Sequence, residues 1–542
     1  MPNLEEVFAG YWPHIIFAVT VVASVLAAVH AAMTKQDVRA AIGWVGIVIF
    51  SPLFGALLYF VAGINRIRRE RVSQQIEEAS HVEEDLDRFL VDRVDSISGS
   101  QFAALKNVGD QLSRFGLVGG NRIRLLKGGD ETYPAMLEAI GSARHSVALQ
   151  SYIFDNDQIG VQIAQALIDA QARGVEVRVL IDSVGSRYSR PPITGILHRA
   201  KVPTALFMTT VFGMRLAYAN LRSHRKILIV DGSLGLTGGM NIRAGFMRAY
   251  GGDQTTRDTH FEVYGPIVRQ LMSSFVHDWE FTTGEHLTGE AWYPVVSTNE
   301  YSSQPVSSTL ASTTSEATAS EVTNSDATNS ASIDSASIDS APTNLAPPIT
   351  TAGLPGFVLS GVPLRCVPSG PDRTIGSTHD LILGALSVAQ HHVRIQSPYF
   401  LPDLPLIAAL NTAARRGVVV DIVIPGSNNL RLVSAAMMAQ LDQLVMSGCR
   451  VWRSTGTFDH SKLMTIDGGW SYIGSSNLDP RSLRLNFELD IEVYDRKLAA
   501  EIGAKIDGLV REAVPVTLVS LRQAPFLRRL RNRVVWLASP YL

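Results

Sequence analysis

Two uncharged apolar runs open the chain. Residues 14–34 and 40–64 contain no Asp, Glu, Lys or Arg. Each is long enough to cross a bilayer core of about 30 Å as a helix. A secretory signal peptide begins with a basic region, whereas this chain begins MPNLEE. The pattern therefore predicts a two-helix transmembrane hairpin, with Trp12, Trp44 and Tyr59 where interfacial aromatics sit. Arg66, Arg68, Arg69 and Arg71 follow the second run, while Lys35 and Arg39 in the loop are offset by Asp37. That asymmetry places both termini and the body of the protein on the cytoplasmic side.

Beyond the hairpin with its basic flank (1–72), a polar helical connector is expected over 73–115. Residues 116–296 and 351–520 then repeat one pattern of apolar strands and amphipathic helices. VALQSYIF (147–154) matches VRIQSPYF (393–400), and ARGVEVRVLID (172–182) matches RRGVVVDIVIP (415–425). Strands alternating with helices of this length indicate α/β halves, each sheet covered on both faces. Residues 297–350 between them are rich in Ser, Thr, Ala and Asn, with six acidic residues and no basic one. Such a segment buries too little apolar surface to offset its ordering entropy and reads as a disordered linker.

Composition adjusts this picture little. The 542 residues carry 48 basic and 50 acidic side chains, so net charge gives no argument for nucleic acid. Cys366 and Cys449 are the only cysteines, too few for a disulfide framework or a thiolate zinc site, and consistent with a reducing compartment.

The chemistry lies in a spacing. SHRKILIVD (223–231) and DHSKLMTID (459–467) both read H-x-K-x-x-x-x-D, and in each copy an Asn follows the His by 17 residues, Asn241 and Asn477. One such motif arises by chance in roughly one chain in fifteen of this length; two inside an internal repeat do not. Strand alternation puts His224, Lys226, Leu228 and Val230 on one face, with Ile227 and Ile229 on the other. Asp231 falls out of phase, which suits it to pinning a turn better than to touching substrate. Two His, two Lys and two Asn meeting between the halves would bind a phosphate ester. Lys and Asn would neutralise and orient its oxygens, one imidazole would attack phosphorus, and the other would protonate the leaving oxygen. No carboxylate cluster or His-rich spacing calls for a metal, and no cofactor is expected.

These residues resemble the phospholipase D superfamily, whose signature is the duplicated HKD motif. With the hairpin and SPYFLPD (397–403), the chain is similar to the bacterial cardiolipin synthases of that superfamily. The resemblance implies two phospholipase D-like α/β/α domains related by pseudo-twofold symmetry, in a multi-pass protein of the bacterial inner membrane. It implies a ping-pong transfer between two phosphatidylglycerol molecules. His224, Lys226, Asp231, His460, Lys462 and Asp467 carry over as active-site positions, with His224 as nucleophile and His460 as acid by analogy. Asp258 in TRDTH and Glu488 in NFELD match the family's carboxylates that buttress each His.

Partners are accordingly phosphatidylglycerol, other phospholipids and the membrane, not nucleic acid. The same residues would serve a hydrolase, a transferase using phosphatidylethanolamine, or a nuclease; intact motifs in both copies disfavour an inactive scaffold. His260 is a lesser candidate for lining the pocket, and His14, His30, His277, His391 and His392 read as structural or surface positions. The tail, 521–542, combines Arg522, Arg528, Arg529, Arg531 and Arg533 with Phe526, Leu530, Val534, Trp536 and Leu537. It fits either a helix packed on the body or an interfacial helix on anionic headgroups.

Overall fold

The computed structural model describes residues 4–35, 38–63, 84–208, 221–294, 361–372 and 374–537. The arginines at 66–71, the segment 297–350 and residues 538–542 lie outside the described residues.

The N-terminal apolar runs are helical but not as two equal rods. The first is one helix, Leu4–Thr34, of which Tyr11–Thr34 is long and apolar enough to span a membrane. The second is divided into Val38–Phe50, Pro52–Leu58 and a π-helical turn Tyr59–Gly63. Pro52 lacks an N–H and cannot continue the helical ladder, and Ser51 leaves it at φ −141°. Tyr59 packs between helices. It is buried between Trp44 and His30, with its hydroxyl 2.7 Å from His30 Nδ1, because a phenol between helices needs a polar partner.

The connector region holds a short 3-10 turn, Glu84–Phe89, and the helix Phe102–Leu112. That helix packs on the second half, where Arg365 donates to Asp110 at 2.6 Å.

Among the described residues both repeats contribute to a single 16-stranded sheet, fifteen strands along one path and Arg222–Ser223 off it. Outward from its middle, one arm runs Val118–Lys127, Thr259–Tyr264, Leu234–Gly238, Ile227–Val230, Ser146–Ser151, Glu176–Asp182 and Thr204–Phe207. The other runs Val362–Ser369, Asn486–Val493, Trp470–Gly474, Leu463–Ile466, His392–Gln396, Val419–Pro425, Arg450–Ser454 and Val514–Pro515. The two arms have the same order, so a pseudo-twofold relation passes between Val118–Lys127 and Val362–Ser369. These strands pair antiparallel through Val118 with Leu364 and Asn121 with Val362. Buried Asn121 fills the irregularity, donating to the Val118 and Val362 carbonyls and accepting from Ile267 N.

In each arm three parallel strands adjoin four antiparallel ones, and in the second arm Val514–Pro515 adds a further antiparallel strand at the edge. The parallel pairs require crossover helices, supplied by Gln158–Ala172 and Leu404–Arg415, whose N-termini are capped by Asp157 and Asp403. The repeated Arg-Gly-Val closes them: Gly174 and Gly417 adopt φ +92° and +91°, a helix-ending conformation that costs other residues strain. Helices Ile267–Thr283 and Arg496–Glu512 cover one sheet face over a core continuous across the seam, in which Val263 and Phe275 join Cys366, Ile491 and Ile502. The opposite face carries a separate core for each half.

Candidate active site

Each HKD motif enters the cleft beside a strand of the other half. Arg222–Ser223 pairs in parallel with Asn486–Phe487, and His224 N donates to Phe487 O at 2.8 Å. In the other copy, Asp459 bridges Arg257, and His460 N donates to Arg257 O at 2.7 Å. The strands proper begin later than the alternation suggested, at Ile227 and Leu463. His and Lys therefore lie in the extended segment just before each strand, where the histidine N–H is bonded across the halves and not to a ladder neighbour. Further along, the alternation holds: Leu228 and Val230 enter the core of the first half, while Ile227 and Ile229 enter the shared one.

This crossing sets the partners of the imidazoles. His224 Nδ1 lies 2.9 Å from Glu488 Oε2 and 3.1 Å from Ser475 O. His460 Nδ1 lies 2.9 Å from Asp258 Oδ2. The partners of His224 Nδ1 are both acceptors, so Nδ1 carries the proton and Nε2 offers its lone pair. Glu488 also accepts from Ser475 Oγ at 2.6 Å and from Asn486 Nδ2 at 3.0 Å. Lys226 and Lys462 are buried, and each donates to the carbonyl of its own motif histidine, at 2.5 and 2.6 Å. Lys462 Nζ is also 3.1 Å from the His460 ring nitrogens.

Burial dominates the electrostatics. It pushes Lys226 down to about 7 and Lys462 down to about 8. Burial, followed by the adjacent Lys462, lowers His460 to about 4; His224 falls well below its usual value through burial and then Lys226 and Lys462. Burial works against ionising Asp258, but the His460 bond and nearby charges outweigh it and hold the carboxyl at about 2. Glu488 is raised by burial. The free site thus holds neutral imidazoles at neutral pH. Because His224 feels Lys462, and His460 feels Lys226, the two motifs share one electrostatic environment.

Asp231 and Asp467 stand apart from the imidazoles. Each lies five residues beyond its lysine, roughly 16 Å along an extended chain. Asp231 accepts from the backbone N–H groups of Arg144, His145 and Ser146 at 2.7 to 3.2 Å. Asp467 accepts from those of Gln390, His391 and His392, each at 2.8 Å. Their φ angles are +50° and +51°. Both aspartates thus bond the backbone that leads into the neighbouring strand, and neither contacts a motif histidine among the described hydrogen bonds.

Asn241 Oδ1 accepts from Ile153 N at 3.1 Å, and Asn477 Nδ2 donates to Ser482 Oγ at 3.2 Å; both side chains are buried near the cleft. The glycines before them are required by close approach. A Cβ on Gly239 would lie 2.4 Å from Asp258 Oδ1, and one on Gly474 would lie 2.5 Å from Asp490 Cα. His260 lines a small cavity with Lys226, Tyr133 and Gln150, and burial lowers it to about 4. His277 pairs with Asp278, and His392 with Asp421. Among the described residues, no group of three or more His, Cys, Asp and Glu is placed to hold a metal.

Several residues escaped the sequence reading. Tyr152 packs edge-on against His224 at 5.2 Å, and Tyr399 against His460 at 6.0 Å. Arg225 donates to Glu488 O at 3.0 Å and to Asp278 at 2.8 Å. Lys505 reaches Thr259 and Ser461 at 2.8 and 2.9 Å. The tyrosines had a signal in the repeated Ser-Tyr-Ile-Phe and Ser-Pro-Tyr-Phe; the two cations had none.

The chain is similar to several known proteins. The family model described as "Cardiolipin synthase, PLD-like domain" matches residues 136–279 and 382–510. A phospholipase D-nuclease N-terminal model matches residues 22–63. Cardiolipin synthase A of Pseudomonas aeruginosa (strain LESB58) is 28% identical over 521 residues, covering 95% of this chain and 94% of that protein. Cardiolipin synthase A of Pseudomonas entomophila (strain L48) is 28% identical over 522 residues, covering 96% of each. Among solved structures, the phosphatidylserine synthase of Haemophilus influenzae Rd KW20 matches with TM-score 0.55 at 14% identity, over 81% of this chain and all of that one. That likeness establishes the mixed α/β fold.

Proposed function

The chain belongs to the family of PLD-like cardiolipin synthase domains, and from that premise we propose that it is a phosphatidyl transferase making cardiolipin and glycerol from two phosphatidylglycerol molecules. The observation that carries the reading is the pair of crossed contacts, His224 with Glu488 and His460 with Asp258, each 2.9 Å long. They engage both Nδ1 atoms, which leaves Nε2 as the reacting atom of each ring.

In the first step Lys226 and Lys462 bind the anionic phosphodiester, whose charge raises the proton affinity of both imidazoles. His224 Nε2 attacks phosphorus, the bond from phosphorus to the glycerol oxygen breaks, and His460 Nε2 gives that oxygen its proton. In the second step the terminal hydroxyl of another phosphatidylglycerol loses its proton to His460. Its oxygen bonds phosphorus and His224 departs. The assignment of His460 as acid is supported by Asp258, which stays ionised and favours an imidazolium beside it. Glu488, the carboxyl beside His224, is instead raised by burial. Asn241 and Asn477 serve as supporting donors near the phosphate. Asp231 and Asp467 act through the backbone.

The body is held at the cytoplasmic face of the bacterial inner membrane by a helical hairpin. Its first arm is Leu4–Thr34, and the broken second arm, 38–63, packs along it. Full-length enzyme in vesicles of labelled phosphatidylglycerol tests the reaction. Cardiolipin and glycerol should form in equal amounts, whereas phosphatidic acid without cardiolipin would show water as the acceptor and sink the synthase reading.

A further inference from the structure

The C-terminal helix, Phe526–Leu537, is docked by one face and bare on the other. Val535 and Trp536 pack on the second half, against helix Arg431–Met438, and Arg533 reaches Asp442 at 2.9 Å. On the far side Phe526, Leu527, Leu530, Val534 and Leu537 form a stripe at helical spacing, with Leu527 75% and Leu537 72% exposed. An apolar stripe of this length on a helix already anchored to the body is more than the scattered apolar residues of an ordinary surface.

The charges around the stripe select its partner. At about 100° per residue, Arg531 flanks it on one side and Arg529 and Arg533 on the other, with Arg528 behind. The helix contains no acidic residue. Arg528 and Arg529 form no ion pair among the described residues. Apolar side chains bordered by an excess of arginines, of which Arg533 alone is matched by a carboxylate among the described residues, fit acyl chains beneath anionic headgroups. A protein partner would have to bury the same arginines against its own carboxylates, and nothing in the pattern calls for that.

The stripe also lies beside the cleft. Helix Arg431–Met438 is preceded by Leu430, and both Leu430 and Leu432 are exposed. One residue earlier, Asn429 Oδ1 accepts from Tyr399 OH at 2.8 Å, and the Tyr399 ring borders His460. A continuous path thus runs from the tail helix through Leu432 and Leu430 to the wall of the catalytic pocket.

We propose that the exposed face of Phe526–Leu537, together with Leu430 and Leu432, seats on an anionic lipid surface and holds the His460 side of the cleft against the bilayer. A lipid headgroup would then enter the site while its chains stay in the membrane. The proposal deepens the lipid-substrate reading, and its test reads lipid contact without turnover, so the two fail separately.

The full-length protein is labelled with an environment-sensitive fluorophore at Leu527→Cys or Leu432→Cys, with Val419→Cys as an exposed control; the native cysteines are buried. It is placed in nanodiscs of phosphatidylcholine with or without phosphatidylglycerol. Both test positions should shift to the blue and be quenched by spin-labelled acyl chains in the anionic discs, and Val419 should not. Replacing Arg529 and Arg531 by Gln should weaken the contact by about five-fold per arginine. Labels that stay solvent-exposed in anionic discs would overturn the proposal. So would labels shielded without lipid quenching in particles holding two copies, which would assign the stripe to a second chain. A further variant, Leu527→Glu with Leu530→Glu, should raise the apparent KM for bilayer lipid while leaving kcat on a short-chain soluble substrate unchanged. An equal loss on both substrates would indicate a purely structural helix.

Discussion

Glu488 and His224 stand 264 positions apart in the chain and 2.9 Å apart in space, in opposite halves. Asp258 and His460 repeat the relationship in reverse across 202 positions. Neither motif histidine therefore finds its carboxylate within its own half. Loss of one carboxylate leaves the ring free to turn and to take the wrong tautomer. Glu488→Gln and Asp258→Asn should each lower kcat by roughly 10²- to 10⁴-fold, with an unchanged circular dichroism spectrum. Retention of full activity by either variant would mean that the crossed contacts do not orient the chemistry.

The two histidines should separate in a trapping experiment. After brief exposure to phosphatidylglycerol labelled in phosphorus, acid-labile label should remain on wild type and on His460→Asn. It should be absent from His224→Asn. Label on His224→Asn but not on His460→Asn would exchange the roles.

The pH profile follows from the buried cations. Lys226 and Lys462, lowered to about 7 and about 8, bind the phosphodiester only when protonated. The sign is therefore a fall in kcat/KM as pH rises through 7 to 8, where an ordinary lysine would stay charged beyond 10. On the acid side His224 stays neutral well below its usual value, so the fall there should lie below pH 6.5. A rate that stays flat from pH 7 to 9.5 would contradict charged lysines as the phosphate binders.

The motif aspartates should behave as clamps. Asp467 accepts three backbone N–H bonds at 2.8 Å, and Asp467→Ala leaves those donors unsatisfied at a cost of roughly 1–3 kcal/mol each if water cannot replace them. The expected outcome is a lower Tm and less folded enzyme, with the remaining folded fraction within about three-fold of wild-type kcat. A variant with wild-type Tm and no turnover would return Asp467 to the chemistry.

The repeat, the order of helices and strands, and both HKD motifs were legible because each is carried by local spacing. The out-of-phase position of Asp231 already pointed to a turn, and its three backbone bonds fulfil that geometry. The crossed pairing was not legible. Asp258 and Glu488 look alike in sequence relative to their own motifs, and only the join between the two arms of the sheet sends each to the other histidine. The onset of the strands at Ile227 and Leu463 was missed for the same reason, since backbone partners from the other half take over ahead of them. Pro52 carried a usable signal, but hydropathy alone merged the helices on either side of it.

The ladder joining Val118 to Leu364 and Asn121 to Val362 makes the two copies physically one before any tether is considered. A protease cut anywhere in 295–360 should leave two fragments that co-purify and still turn over, because neither the central pairing nor the common apolar layer depends on an unbroken chain there. Ancestral duplication, on this geometry, left a molecule that tolerates almost any traffic in its middle yet cannot shed either copy.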